Sequence, residues 1–137
     1  MTYNEKKAWL SRYQISLRRE RELTEEVKQQ EARAQAVTPR LSGMPGGGRP
    51  GDSLPCAVEA IIQAKQELQA QINQCGAIRR EVVAALEQVT NARDHEILRR
   101  RYILGQRFEQ ISVEMHMDLR WIYRTHKRTV QRLAIKK

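Results

Sequence analysis

The sequence of 137 residues contains few aromatic side chains, only two cysteines and no long apolar run. Because aromatic residues make up 5% and charged residues 30% of the chain, we expect a thin, mostly aliphatic core, which suits packed helices. Two cysteines cannot form a disulfide framework. No run approaches the ~20 apolar residues of a membrane span, and the start MTYNEKKAW lacks a signal-peptide core. We therefore expect a soluble intracellular protein without a membrane partner.

Motifs for catalysis and metal binding are missing as well. The three histidines are dispersed without metal-ligand spacing, and neither CxxC, HExxH nor Gly-x-Ser-x-Gly occurs. The stretch GMPGGGR superficially resembles a phosphate-binding loop, but no Lys-Ser/Thr follows Gly48, and Pro50 interrupts the place of the helix. We predict no enzyme activity, no catalytic residue, no metal and no cofactor, and we expect His126 to be a half-buried core residue.

Positive charge is concentrated in the last third of the chain. Lys and Arg together number 25 against 16 Asp and Glu, which gives a net charge of +9 and an isoelectric point near 10.1. Residues 1–90 contribute +2 of this excess, whereas residues 91–137, with 12 basic and five acidic residues, contribute +7. Such an imbalance favours a polyanionic partner, and nucleic acid is the first expectation.

The pattern predicts an all-α chain in which a long N-terminal helical hairpin or coiled coil precedes a C-terminal three-helix domain. Residues 1–37 form the first segment, with one helix over 3–36 that has a weak apolar face. Residues 38–55 hold five glycines and four prolines and predict a linker or long ordered loop, which continues neither helix nor strand. Residues 54–90 predict a second long helix.

This second helix carries apolar residues at heptad spacing. The predicted seam consists of Val58, Ile61, Leu68, Ile72, Cys75, Val82, Leu86 and Val89, interrupted by Lys65 and Arg79. The two long helices are therefore long enough to pair within one chain, or with another copy as a homodimer, and the sequence leaves both alternatives open.

Residues 91–137 predict three shorter helices. Asn91 is placed to cap the first helix and Gly105 to end it. The second helix runs through FEQISVEM, and the third begins after Asp118 and continues to about Ile135. The tight connection before Asp118 matches a helix-turn-helix, in which the last helix enters the major groove of DNA.

The spacing around this turn supports that interpretation. In the usual helix-turn-helix pattern a small residue is followed four positions later by a turn residue, often Gly, and six positions after that by a branched apolar residue. Ser112, His116 and Ile122 occupy these places. If the turn requires a positive φ, His116 adopts it at some strain.

The third helix has one apolar and one basic face. Its predicted inner residues are Ile122, His126, Val130 and Leu133. The residues predicted to contact DNA from its outer face are Arg120, Trp121, Arg124, Lys127, Arg128 and Gln131. Arginine can bridge guanine O6 and N7, and Arg or Lys can hold phosphates. A solvated basic face is the structural alternative, and for Trp121 packing against a neighbouring helix competes with contact to a base.

Arg99, Arg100 and Arg101 form a second basic group on the first helix of this domain. We expect phosphate contacts from them, although such a run is commonly a solvated surface. Asp94 is expected to neutralise little of the positive charge of this run, because it does not stand at i,i+4 spacing from any of its arginines.

The segment LRRRYILGQRFEQISVEMHMDLRWIYRTHKRTVQRL resembles region four of bacterial sigma factors. It is more similar still to small phage and prophage regulators, including late-gene activators of the RinA/ArpU type. YNEKKAWLSRY and VTPRLSGMPGGGRPGDSL extend the resemblance to nearly the whole chain. It implies a sequence-specific regulator in the bacterial cytoplasm that binds double-stranded DNA and recruits host RNA polymerase at a promoter.

The resemblance also assigns individual positions. Asp118 stands where Ser or Thr commonly caps the recognition helix, and Leu119 replaces a frequently basic residue. The positions that contact bases or phosphates in the family are occupied by Arg120, Trp121, Arg124 and Arg128.

Two alternatives remain. The chain is compatible with a small-terminase-like phage DNA-packaging factor, although in such proteins the DNA-binding domain usually comes first. The second alternative is a coiled-coil adaptor whose basic end binds an acidic protein surface.

Overall fold

The computed structural model describes residues 1–43 and 54–136, with side chains described for 1–36 and 54–136. Every regular element in these ranges is a helix, which confirms the all-α prediction. The helices are α1 (Tyr3–Gly43), α2 (Leu54–Leu86), α3 (Ala92–Tyr102), α4 (Phe108–Met115) and α5 (Leu119–Arg132). None of the helices described is both long and apolar enough to cross a membrane.

Helix α1 extends into the segment predicted as a linker. α1 continues to Gly43 instead of ending near residue 36, whereas α2 begins at Leu54, as predicted. One proline, Pro39, lies inside α1, where it removes a single backbone donor, while the dense Gly and Pro run begins only after Gly43. Pro55 stands in the first turn of α2, where its missing N–H would have had no intrahelical partner. Residues 44–53 of the predicted linker lie outside the described residues.

Two helices end earlier than their sequence pattern indicates. α2 stops at Leu86 rather than near residue 90, since the amides of Gln88 and Val89 bond three residues back, at 3.2 and 3.1 Å. α5 stops at Arg132 rather than near Ile135. The Gln88 amide replaces the lost helical bonds: its Nε2 donates to the Ala134 carbonyl at 2.8 Å and its Oε1 accepts from Ala134 N–H at 2.9 Å.

The chain divides into two compact units, and the first combines both ends of the sequence. It contains residues 1–16 and 75–137, so it begins well before the predicted domain boundary at residue 91 and includes the start of α1. Its larger buried cluster consists of Leu10, Val82, Leu86, Leu98, Tyr102, Val130 and Leu133. A smaller cluster consists of Ile97, Ile111 and Ile122, each without exposed surface.

The start of α1 is bonded to the rest of this first unit. Gln14 Nε2 donates to the carbonyl oxygens of Tyr102 and Ile103, at 3.1 and 2.9 Å, and so satisfies acceptors at the C-terminal end of α3. Arg12 forms an ion pair with Glu81 of α2 at 2.6 Å. Residues 1–16 therefore contribute both apolar contacts and end-capping to this unit.

The second unit, residues 17–74, contradicts part of the predicted heptad seam. Val58 and Ile72 were placed on the seam, but they are 44% and 39% exposed, while Ala64 is buried. Among the described side chains, Leu23 and Val27 are the buried apolar residues that α1 supplies to this unit. Lys65 lies 3.8 Å from Glu31 at the surface. The homodimer through the long helices stays a prediction.

Gly105 provides a test of this architecture. It has a φ of 72°, and a Cβ there would lie 2.6 Å from Gln14 Oε1. We expect Gly105→Ala to lower the free energy of unfolding by about 1–3 kcal/mol, because it strains the backbone and displaces the Gln14 amide. Urea unfolding followed by circular dichroism measures this change.

Gly76→Ala is the matched control. A Cβ at Gly76 would meet only Arg80 Nη1, at 3.6 Å, within helix α2. This variant should be more stable than the wild type by about 0.5–1 kcal/mol. Equal effects of the two substitutions would contradict the packing of Gln14 against the end of α3.

Candidate nucleic-acid interface

The connection between α4 and α5 is only three residues long and is reinforced by Ser112. His116 adopts the left-handed conformation, with φ 55° and ψ 48°. The Met117 N–H donates to the Ser112 carbonyl at 3.0 Å, and the Ser112 hydroxyl donates to the Met117 carbonyl. A small hydroxyl residue thus closes the turn, and it is one of the positions singled out by the sequence spacing.

The beginning of α5 is fixed from two sides. The Asp118 carboxylate accepts the Arg120 N–H at 2.8 Å, as the sequence predicts for an N-cap. One turn further, Ile122 is completely buried against Ile97 of α3 and Ile111 of α4. These contacts hold the first turns of α5 firmly against the other two helices.

α5 separates buried from exposed residues along its whole length. The buried residues are Ile122, Thr125, His126, Thr129 and Val130. The exposed residues are Arg120, Tyr123, Arg124, Lys127, Arg128, Gln131 and Arg132. The structure therefore brings five of the six residues predicted for the DNA-contacting face of this helix onto one solvent-facing surface.

The cations of this face differ in their partners. Arg120, Arg124 and Lys127 take part in none of the ion pairs found among the described side chains. Arg128, by contrast, lies 3.7 Å from Asp94 of α3. As predicted, Asp94 pairs with none of the arginines from Arg99 to Arg101. The packing of α3 against α5 brings it to Arg128 instead.

The run Arg99 to Arg101 is largely engaged within the chain. Arg100 bonds to Glu96 at 2.9 Å and also to Glu114 of α4. Arg101 donates to the Gln106 carbonyl at 3.2 Å, and its guanidinium lies 4.3 Å from the centre of the Phe108 ring. Arg99 is exposed and pairs with Glu96. Phosphate contact by this run stays a prediction, and the observed bonds favour a structural role for Arg100 and Arg101.

The two aromatic residues beside the basic face occupy different environments. Trp121 is half-buried next to the isoleucine cluster, with the Arg93 guanidinium 5.8 Å from its ring centre. Tyr123 is exposed, packs its ring 4.9 Å from that of Phe108, and donates to Glu109 at 3.4 Å. For Trp121 the structure favours packing over base contact, and Tyr123 remains accessible.

His126 lies at the centre of a buried hydrogen-bonded group behind the basic face. Its Nε2 is 2.6 Å from the Tyr102 hydroxyl and its Nδ1 is 3.2 Å from the Tyr3 hydroxyl. One ring nitrogen accepts and the other donates, so both are satisfied in a neutral ring. The ring is fully buried rather than half-buried as predicted. Burial, together with the charges of Arg101 and Lys7, lowers the pKa of His126 to about 4.

Sequence reasoning missed the residues at the start of α1. Tyr3 contacts His126, and the Lys6 ammonium donates to the Gln131 carbonyl at 2.7 Å. More than a hundred residues separate these partners along the chain, and local periodicity carries no information about such pairs. The stretch YNEKKAWLSRY contributes to the family resemblance, but that resemblance names no partner for Tyr3 or Lys6.

No family model, curated protein or solved structure matches the chain. Within residues 1–36 and 54–136 there is also no group of three or more His, Cys, Asp or Glu side chains that could hold a metal ion. The exposed face of α5 presents guanidinium, ammonium, amide and phenol groups, which are suited to hydrogen bonding with polyanions.

The burial of His126 predicts a specific pH dependence of stability. The unfolded imidazole titrates near 6.5 and the folded one near 4, so both states are neutral above this window. As the pH falls from about 6.5 to about 4, the unfolded state binds a proton that the folded state excludes. The free energy of unfolding should therefore decrease, by up to about 3 kcal/mol.

His126→Gln isolates this contribution, because glutamine retains hydrogen-bonding capacity but does not titrate. Urea unfolding of both proteins across this pH window measures the difference in slope. A wild-type stability that falls no more steeply than that of the variant would show that His126 is not held neutral by the fold.

Proposed function

We propose that this protein binds double-stranded DNA through α5, with α4 and the turn at His116 completing a helix-turn-helix. The observation that carries the proposal is the exposed face of α5, on which Arg120, Arg124 and Lys127 have no acidic partner among the described side chains. The opposite face of the same helix is fully buried. The helix is thus held rigidly while its cations remain available to an external anion.

The spacing of these cations suits the edges of stacked base pairs. Arg120 and Arg124 are one turn apart, which corresponds to about 6 Å along the helix axis at 1.5 Å per residue. Successive base pairs are about 3.4 Å apart, so two arginines in the major groove reach neighbouring or next-neighbouring pairs. Each guanidinium can bond guanine O6 and N7 at once.

Binding by the unpaired cations does not require an internal ion pair to break. When Arg120 and Arg124 contact DNA, they displace only water and counterions. The release of these counterions favours binding. Arg128 must first leave Asp94, although at 3.7 Å and half-exposed this pair contributes little stability. We therefore rank Arg120 and Arg124 above Arg128 as base contacts, with Lys127 suited to a phosphate.

The biological role that fits this activity is transcription regulation. The resemblance of residues 98–133 to sigma factor region four, and to phage and prophage regulators, supports a protein that occupies a promoter and recruits host RNA polymerase. The net charge of +7 in residues 91–137 adds long-range attraction to DNA. This role rests on the sequence resemblance, whereas DNA binding rests also on the arrangement of α5.

Arg124→Glu tests the proposed interface. The substitution reverses charge at the centre of the exposed face, so specific binding should fall by at least tenfold, while helix content and unfolding temperature stay unchanged. A mobility-shift assay at fixed salt measures the affinity, with a duplex selected from a random pool by the wild-type protein.

Arg79→Glu is the control, because it makes the same change of charge at an exposed position of α2. It should retain most of the affinity. Unchanged binding by Arg124→Glu would reject the site. If the wild type bound selected and scrambled duplexes equally weakly while binding RNA polymerase tightly, the protein would instead be an adaptor.

A further inference from the structure

We infer that the first turns of α1 form a second part of the DNA-binding surface, with Lys7 contacting a backbone phosphate beside α5. The inference rests on the proposed function and extends the interface to a helix that the helix-turn-helix pattern does not include. Its basis is the position of Lys7 relative to Lys127, with Tyr3 between them.

The start of α1 is held in place next to α5. Thr2 and Glu5 bond reciprocally, with the Glu5 N–H donating to Thr2 Oγ1 at 3.2 Å and the Thr2 N–H donating to the Glu5 carboxylate at 3.4 Å. Lys6 donates to the Gln131 carbonyl in the last turn of α5. The Tyr3 hydroxyl bonds to His126 from the same turn of α1. Lys7 is therefore carried on an ordered helix end.

The ammonium groups of Lys7 and Lys127 both lie close to the aromatic ring of Tyr3. Lys7 Nζ lies 4.5 Å from the ring centre, and Lys127 Nζ lies 5.6 Å from it. They are thus within about 10 Å of each other, which is the Debye length at 0.1 M salt. Neither lysine forms an ion pair with a carboxylate in the described part of the chain. An anion bound beside them relieves their mutual repulsion and is attracted by both.

The chemistry and the location favour a phosphodiester. Lysine is a compact point charge that suits a phosphate better than the two-acceptor edge of guanine. When a helix lies in the major groove, the phosphate strands run along its flanks, and Lys7 stands at the flank of α5 on a separate helix. Lys7 therefore strengthens binding to any duplex sequence, whereas Arg120 and Arg124 select among sequences.

Lys7→Gln tests the inference through the salt dependence of duplex binding. Loss of one phosphate contact should reduce the slope of log K against log salt by about 0.9, equally for the selected and a scrambled duplex. Lys7→Arg should keep the wild-type slope because it keeps the charge. Lys7→Met provides a second neutral variant that retains an apolar stem over Tyr3, and the unfolding temperature of each variant verifies the fold.

Lys28→Gln is the matched control, since it removes the same charge from an exposed position of the same helix within the other compact unit. It should leave the slope unchanged. An equal decrease for Lys28→Gln and Lys7→Gln, or a wild-type slope in both neutral Lys7 variants, would overturn the inference. If the wild type itself showed no salt-dependent duplex binding, the proposed function would fail rather than this extension of it.

Discussion

The burial of one face of α5 determines which of its side chains reach solvent. Ile122, His126 and Val130 succeed one another at helical spacing and are each completely or almost completely buried. Once these positions face inward, the geometry of a helix directs Arg120, Arg124 and Lys127 toward solvent. The same packing therefore stabilises the fold and displays the charges, and a slip of one residue in the register of α5 would disturb both.

His126 makes this packing specific as well as stable. A purely aliphatic face could slide or rotate, but an imidazole bonded to Tyr102 of α3 and Tyr3 of α1 fixes one arrangement of three helices. Displacing either hydroxyl leaves a buried polar atom without a partner, which is costly in an apolar interior. Polar groups in this core therefore select the orientation of α5, while the surrounding Leu and Ile side chains supply most of the burial.

Much of the C-terminal part could be predicted from sequence, because its signals are local. Patterns that span fewer than twenty residues predict three of its features. These are the cap at Asp118, the left-handed residue at His116 and the division of α5 into two faces. The contact of Asp94 with Arg128 and that of Lys6 with Gln131 join different helices, and no such pattern reports them. The heptad prediction is wrong at Val58 and Ile72, which are exposed. A heptad repeat shows which apolar residues share one face of a helix, but not whether another helix packs against that face.

The union of residues 1–16 with residues 75–137 also bears on how the molecule is made. The Tyr3–His126 bond joins positions 123 apart, so at 5–20 residues per second the ribosome releases the second partner about 6–25 s after the first. During that interval the Tyr3 hydroxyl has no imidazole partner. The buried group of Tyr3, Tyr102 and His126 is therefore completed only after α5 has been synthesised.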